Sequence, residues 1–185
     1  TSGCRVVVRS YTSMAALTAD AGRPNPKVRF ALGGASFVDS KGAATSLKNG
    51  SVVDVDASQA AYLAGYASAG MTTTGTLAVV GGAAENVTNS QMSAFSQGVD
   101  AYNLANGTSI SVLGWNPVTS DGTYAGSADE VRTATADAIS QGADIIAPFA
   151  GEANEGAARA VTEAANPTVR LVWSGLTKAD LKGLT

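Results

Sequence analysis

Histidine is absent from the 185 residues. That removes the commonest general base, the Ser-His-Asp and Cys-His arrangements and most zinc chemistry at one stroke. Cys4 is the sole cysteine, so no internal disulfide can form and the redox compartment leaves no mark. Charge is sparse: 12 basic and 15 acidic residues leave a net −3, and the basic residues are spread along the chain. Phosphate binding depends on a concentrated basic face, so nucleic acid is not an expected partner. No apolar run approaches the roughly 18 residues of a membrane span, and no charged segment leads into an apolar one at the start. The chain as given reads as soluble. Thr1-Ser-Gly-Cys4 has the form of a lipoprotein cleavage box, but the apolar segment that such a box follows is missing. Cys4 is therefore read as a small buried residue at the head of a strand.

What is present is glycine, 21 residues of it, and an apolar fraction of 45%. A chain of this length fits one large domain or two small ones and buries about 70% of its unfolded surface. The organising stretch is Asp54 to Gly82: an Ala-rich helix capped by Asp56 or Ser58, a Thr/Gly connector, a buried strand and a double-glycine loop. Thr72 to Thr76 reads as a crossing between two lobes, which gives residues 1–75 as the remainder of a first lobe and 76–185 as a partial second one.

Before the helix, Arg5–Arg9 and Lys27–Leu32 read as strands flanking a helix that is capped near Thr12 or Ser13 and stopped by Gly22-Arg-Pro-Asn-Pro26. Residues 35–50 are Ser/Gly/Lys-rich without periodicity and suggest a surface excursion before a short third strand at Ser51–Asp54. Tyr62, Leu63, Tyr66 and Met71 recur at helical spacing and predict a core stripe. After strand Thr76–Val80, a helix to about Asn106 carries Met92, Phe95, Val99 and Tyr102 on one face. Ser109–Leu113 is the next strand. Ser127-Ala-Asp-Glu130 has the form of a capping box. Asp144–Phe149, a helix through Ala165 and Thr168–Trp173 complete an alternation of strand and helix. Apolar rather than alternating strands imply parallel sheets covered on both faces, an α/β fold.

The glycine turns do not make a nucleotide site. Gly81-Gly82 lacks the third glycine of the dinucleotide fingerprint, and Gly151 to Gly156 is followed by alanines where a phosphate loop has Lys-Ser/Thr. No Gly-x-Ser-x-Gly elbow occurs. Asp54 and Asp56 are accounted for as a strand end and a helix cap. The chain is therefore not expected to be an enzyme, and no metal or cofactor is expected. In parallel α/β sheets ligands lie beyond the carboxyl ends of the strands. Those ends supply Tyr11, Gly34, Gly82, Asn86, Trp115, Phe149, Gly151, Glu152, Trp173 and Ser174 as candidate ligand contacts. Aromatics, small residues and amides suit a flat neutral solute better than a phosphate or a metal.

Gln59-Ala-Ala-Tyr-Leu-Ala-Gly-Tyr-Ala-Ser-Ala-Gly-Met-Thr-Thr-Thr-Gly75, Val79-Val-Gly-Gly82, Gln141-Gly-Ala-Asp-Ile-Ile146 and the Ala150-Gly151 turn resemble the basic membrane protein family of lipoproteins, the solute-binding components of nucleoside-type ABC importers. The similarity runs from about Cys4 to Trp173 and is most specific over Gln59 to Gly82. It implies a type I periplasmic-binding-protein fold, two Rossmann-like parallel-sheet lobes closing on a purine nucleoside whose base lies between aromatic rings. By position it makes Tyr124, in Gly122-Thr-Tyr-Ala125, a stacking partner, with Tyr11 a second aromatic and Gly151 a turn near the ligand. It implies an ABC permease as protein partner and an extracytoplasmic location, with membrane attachment only through a lipid anchor in the intact protein. The chain reads as an incomplete receptor, ending before the remaining elements of the second lobe. The alternative is a ligand-sensing regulatory domain of the same fold that signals to a partner protein.

Overall fold

The computed structural model describes residues 3–10, 14–53 and 56–174. The chain divides into two compact units, Thr1–Asp56 and Ala57–Thr185. Each is an α/β unit built on its own parallel sheet.

In the first unit, β1 (Val6–Ser10), β2 (Arg29–Gly33) and β3 (Gly50–Val53) pair in parallel in that order, with α1 (Ala15–Gly22) between β1 and β2. The register puts Val7, Phe30 and Leu32 on one face, where they pack with Ala15 and Ala19 of α1. Residues 35–49, expected to be a surface excursion, send Phe37 and Leu47 into the same core. Buried Asn49 fixes the loop's return, its Nδ2 donating to the carbonyls of Gly22, Asn25 and Val28. The opposite face, carrying Val6, Val8 and Val53, is exposed. Coverage of both sheet faces thus holds only for the second unit. Cys4, expected to be buried, is exposed. Thr12, Ser13 and Asp54, read as caps and a strand end, lie outside the described residues.

The second unit is a four-stranded parallel sheet in the order β5 (Ser111–Leu113), β4 (Thr76–Gly81), β8 (Ile145–Phe149), β9 (Arg170–Leu171). Two short antiparallel strands, β6 (Trp115–Asn116) and β7 (Asp121–Gly122), form a hairpin after β5. Side chains on adjacent strand positions point to opposite faces. Leu77, Val79, Ile145, Ala147 and Phe149 meet Met92, Phe95 and Val99 of α3 (Asn86–Asn106), with α2 (Ser58–Met71) packed outside it. Ala78, Val80 and Ile146 face the other way, toward α4 (Ala128–Ser140) and α5 (Asn154–Ala164). Burial on both faces explains why β4 and β8 are continuous apolar runs.

Two differences from the sequence reading concern α2. Its buried face is Ala61, Gly65, Ser68 and Ala69, while Tyr62, Leu63, Tyr66 and Met71 are exposed. The stripe of large residues has the right period but the wrong face, because α2 is pressed so closely on α3 that only small side chains fit between them. Its N-cap is Ala57, which makes no side-chain cap bond. The same packing draws residues 57–75 into the second unit, whereas the sequence reading placed the lobe boundary after residue 75. Thr72 to Thr74 is accordingly a clamp within that unit. The Asp144 carboxylate accepts from the Thr72 hydroxyl (2.5 Å), the Thr73 amide (2.6 Å) and hydroxyl (2.7 Å) and the Thr74 amide (3.2 Å).

Candidate functional site

From β4 the chain moves outward to β5 and then returns to the other side of β4 to form β8. The carboxyl ends of β4 and β8 therefore flank a topological switch point, the place where open α/β sheets bind ligands. Gly82 and Ala150 meet there: the Gly82 amide donates to the Phe149 carbonyl at 3.1 Å, and a Cβ on Gly82 would stand 2.9 Å from the Ala150 Cα. No residue with a side chain fits at position 82 without displacing that backbone.

Tyr124 is brought to this point by the backbone. After the β6–β7 hairpin, residues 123–125 run alongside the end of β4. The Gly81 amide donates to the Thr123 carbonyl at 2.9 Å, and the Ala125 amide donates to the Gly81 carbonyl at 2.8 Å. Glycine at 81 is what lets the ring approach, since a Cβ there would lie 2.9 Å from Tyr124 Cδ1 and 2.8 Å from Met92 Sδ. The phenol donates to Asn89 Oδ1 at 2.7 Å, tying the ring to the first turn of α3. Burial raises the Tyr124 pKa above the ordinary phenol value, and the negative charge of Asp121 adds to it. The hydroxyl is thus a neutral donor throughout the physiological range.

Tyr124 and Gly82 line an open groove of about 690 Å³ that continues along α4 past Asp129, Glu130, Thr133 and Asp137. A smaller cavity of about 380 Å³ is lined by Asn89, Ser90, Ser93 and Gln97 of α3 with Ser58, Ser120 and Trp115. The Tyr124–Asn89 hydrogen bond joins the two, one partner lining each. Among the described residues neither is lined by a lysine or arginine. In the groove, Glu130 is already engaged: its Oε2 accepts from the Gly126 and Ser127 amides at 2.9 and 3.0 Å, while Ser127 Oγ accepts from the Glu130 amide, closing the capping box anticipated from the sequence.

The other candidates are placed as follows. Asn86 is the exposed first residue of α3. Gly151 opens a single 3-10 turn, Gly151–Ala153, at φ +59° with open space around it, and Glu152 is exposed beside it. Phe149 is in the core, packed edge-to-face with Phe95 with ring centroids 6.3 Å apart. Trp115 is 8% exposed. The indole N–H groups of Trp115 and Trp173 are both buried, without an acceptor among the described residues. Ser174 spends its hydroxyl on the Pro148 carbonyl at 2.5 Å. Gly34 follows β2 in the first unit at φ +71°, its amide donating to the Val53 carbonyl at 2.9 Å. Tyr11 lies outside the described residues. Asn89 and Asn154 were missed by the sequence reading. Asn89 has a signal there, an amide in the first turn of a helix that starts at a strand's carboxyl end. Among the described residues no group of three or more Cys, Asp or Glu could hold a metal ion, and no helix is long and apolar enough to cross a membrane.

The fold is shared with solved structures. A solute-binding protein of an ABC transporter system from Aeropyrum pernix K1 is 20% identical at TM-score 0.73, over 87% of this chain and 43% of that one. The substrate-binding protein of a sugar ABC transport system from Bordetella parapertussis 12822 is 17% identical at TM-score 0.63, over 95% and 51%. A transcriptional activator of the comK gene from Bacillus halodurans is 13% identical at TM-score 0.66, over 92% and 52%. The chain spans about half the length of these structures. The two solute-binding proteins are periplasmic-binding-protein-like, in agreement with the parallel α/β architecture. No curated protein matches the sequence. Residues 1–174 match the family model described as ABC transporter substrate-binding protein, PnrA-like.

Proposed function

The chain belongs to the family of PnrA-like ABC transporter substrate-binding proteins, and from that premise we propose that its second unit forms one wall of a site for a flat, neutral, polar solute, a nucleoside, delivered to an ABC permease. The observation that carries the reading is Tyr124, held by the Gly81 backbone and by Asn89 beside the Gly82–Ala150 switch point. Its ring supplies a stacking face, and Asn89, Ser93 and Gln97 supply amide and hydroxyl partners for a sugar. The absence of lysine and arginine among the described residues of both cavity linings favours a solute without phosphate. The two units, Thr1–Asp56 and Ala57–Thr185, are read as parts of the two lobes of such a receptor, which moves the lobe boundary from residue 75 to residue 56. The protein acts outside the cytoplasm, lipid-anchored to the outer face of the membrane in its intact form, and binds rather than transforms its solute. Trp115, Gly151, Glu152 and Trp173 belong to the same rim.

One stacked base contributes about 1–3 kcal/mol and each net hydrogen bond about 1 kcal/mol. Two or three such bonds bring the total near 4 kcal/mol, a dissociation constant of about 1 mM. Titration of adenosine, guanosine, inosine and uridine, followed by amide NMR of Gly82, Tyr124 and Asn89, tests this. Saturable shifts near that concentration support the assignment; no shift at the solubility limit of all four rejects it. The similarity to the comK activator favours a second reading, a sensor domain that passes occupancy to a partner protein. A permease complex that forms only with solute present separates the importer from the sensor.

A further inference from the structure

Asn154 is the fully buried first residue of α5, and its amide joins three pieces of chain at the carboxyl edge of the second sheet. Oδ1 accepts from the Ala150 amide at 2.7 Å, and Nδ2 donates to the Ser174 carbonyl at 2.8 Å and to Ser174 Oγ at 3.1 Å. Ser174 Oγ in turn donates to the Pro148 carbonyl at 2.5 Å. The reason lies in Pro148. The β8–β9 ladder pairs Ile145 and Ile146 with Arg170 and Leu171, and the Val172 amide still reaches the Ile146 carbonyl at 2.8 Å. The next rung needs an N–H at position 148, which proline lacks. Backbone pairing stops, and side chains take over: Ser174 satisfies the Pro148 carbonyl, and Asn154 fastens Ser174 to the Ala150–Gly151 turn.

We propose that Asn154 is the positioning residue of the solute rim, holding the Ala150–Gly151 turn and the Trp173–Ser174 segment as one piece on which solute affinity depends. This rests on the nucleoside reading above. Only a carboxamide serves here, since it presents one acceptor and two donors. Aspartate lacks the donors, and alanine lacks both functions. Preorganisation of this kind lowers the ordering cost at binding rather than adding a contact. Loss of Asn154 therefore weakens binding without removing any group that touches the solute.

The test uses the full chain with Asn154→Ala, Ser174→Ala and the double variant, with adenosine as probe, and reads affinity alongside amide hydrogen exchange. Asn154→Ala is expected to speed exchange at Ala150 while leaving Val79 and Phe95 protected, and to weaken adenosine binding at least tenfold. Ser174→Ala, which keeps the Asn154–Ala150 bond, is expected to weaken it less and serves if Asn154→Ala does not fold. The double variant should bind no worse than Asn154→Ala, because the two residues act as one unit. Adenosine affinity within twofold of the parent chain in a folded variant whose Ala150 amide has been freed overturns the proposal, as do strictly additive effects. A parent chain that binds no nucleoside rejects the underlying reading and this inference with it; a parent that binds, alongside an Asn154→Ala that binds equally well, rejects this inference alone.

Discussion

Gly98 of α3 sits directly on the carbonyl oxygen of Tyr62 in α2: a Cβ built on it would stand 2.0 Å from that oxygen. Gly65 of α2 is seated in the same way on the carbonyl of Phe95, also at 2.0 Å. The two glycines bring the helix backbones into contact. Gly98→Ala gains about 1 kcal/mol of helix propensity but forces two backbones apart in a close-packed core, where overpacking costs about 1–3 kcal/mol and sometimes more. Because the obstacle is backbone, the larger figure governs, and a net loss of about 2 kcal/mol is expected in urea unfolding. Gly70→Ala is the control. The atoms nearest its Cβ would be those of the Tyr102 side chain, at 3.2 Å and beyond. That side chain can yield, so the variant should be neutral or slightly more stable. Equal losses at both positions would disprove the close-contact account.

This contact also explains what the sequence could and could not disclose. Periodicity marked α2 as a helix, and the apolar runs marked β4 and β8 as buried strands, because those properties are local to each segment. Which face of α2 is buried depends on how near α3 comes, and that is set by the two glycines acting together across 33 residues. A hydrophobic stripe of Tyr62, Leu63, Tyr66 and Met71 therefore pointed the wrong way. The same limit held at the rim. Strand ends pointed to Gly82 and the family resemblance to Tyr124, whereas the packing of Phe149 in the core and the bond from Ser174 to Pro148 are made with neighbours distant in sequence. The threonines of the connector were legible as a connector; their carboxylate partner, Asp144, lies some 70 residues away.

Asp144 gives the fold a signature at low pH. Burial alone would raise its pKa, but the hydrogen bonds from Thr72, Thr73 and Thr74 outweigh burial and hold it below the ordinary carboxylate value. A depressed folded pKa means that the stability contributed is complete above the unfolded value of about 3.9 and is lost as pH falls through the folded one. Asp144→Asn should cost about 1–3 kcal/mol at neutral pH, since one carboxylate oxygen gives way to an NH2 that cannot accept and the bonds to the other oxygen lose their charge. The gap to the parent chain should close as unfolding is measured at progressively lower pH below about 3.9. A gap independent of pH would mean that the threonines do not depend on the charge.

The capping box makes a separable claim about α4. Ser127→Ala removes the acceptor for the Glu130 amide and should cost about 1 kcal/mol, with faster exchange confined to the first turn. Glu130→Gln retains an acceptor for the Gly126 and Ser127 amides and should cost less. Denaturant unfolding of the two variants side by side checks the order; a larger loss for Glu130→Gln would show that the groove depends on the charge of Glu130 more than on the cap.

Tyr124 and Asn89 can be tested by titration and by solute together. The raised Tyr124 pKa, caused first by burial and then by Asp121, predicts that this phenol ionises above the ordinary phenol value. The stability from its bond to Asn89 is complete below the unfolded value of about 10 and is lost as pH rises through the higher folded value. Absorbance at 295 nm should therefore lose a component that titrates above the ordinary phenol range in Tyr124→Phe, and Asp121→Asn should move that component part of the way back toward it. Loss of the bond itself should lower stability by about 1 kcal/mol at pH 7. If the ring stacks on a nucleoside, Tyr124→Phe keeps the aromatic face and should change affinity less than threefold, while Tyr124→Ala should lower it by about 1–3 kcal/mol. A phenylalanine variant that binds as poorly as the alanine one would place the hydroxyl, not the ring, against the solute, and would turn the site from a stacking platform into a hydrogen-bonding one.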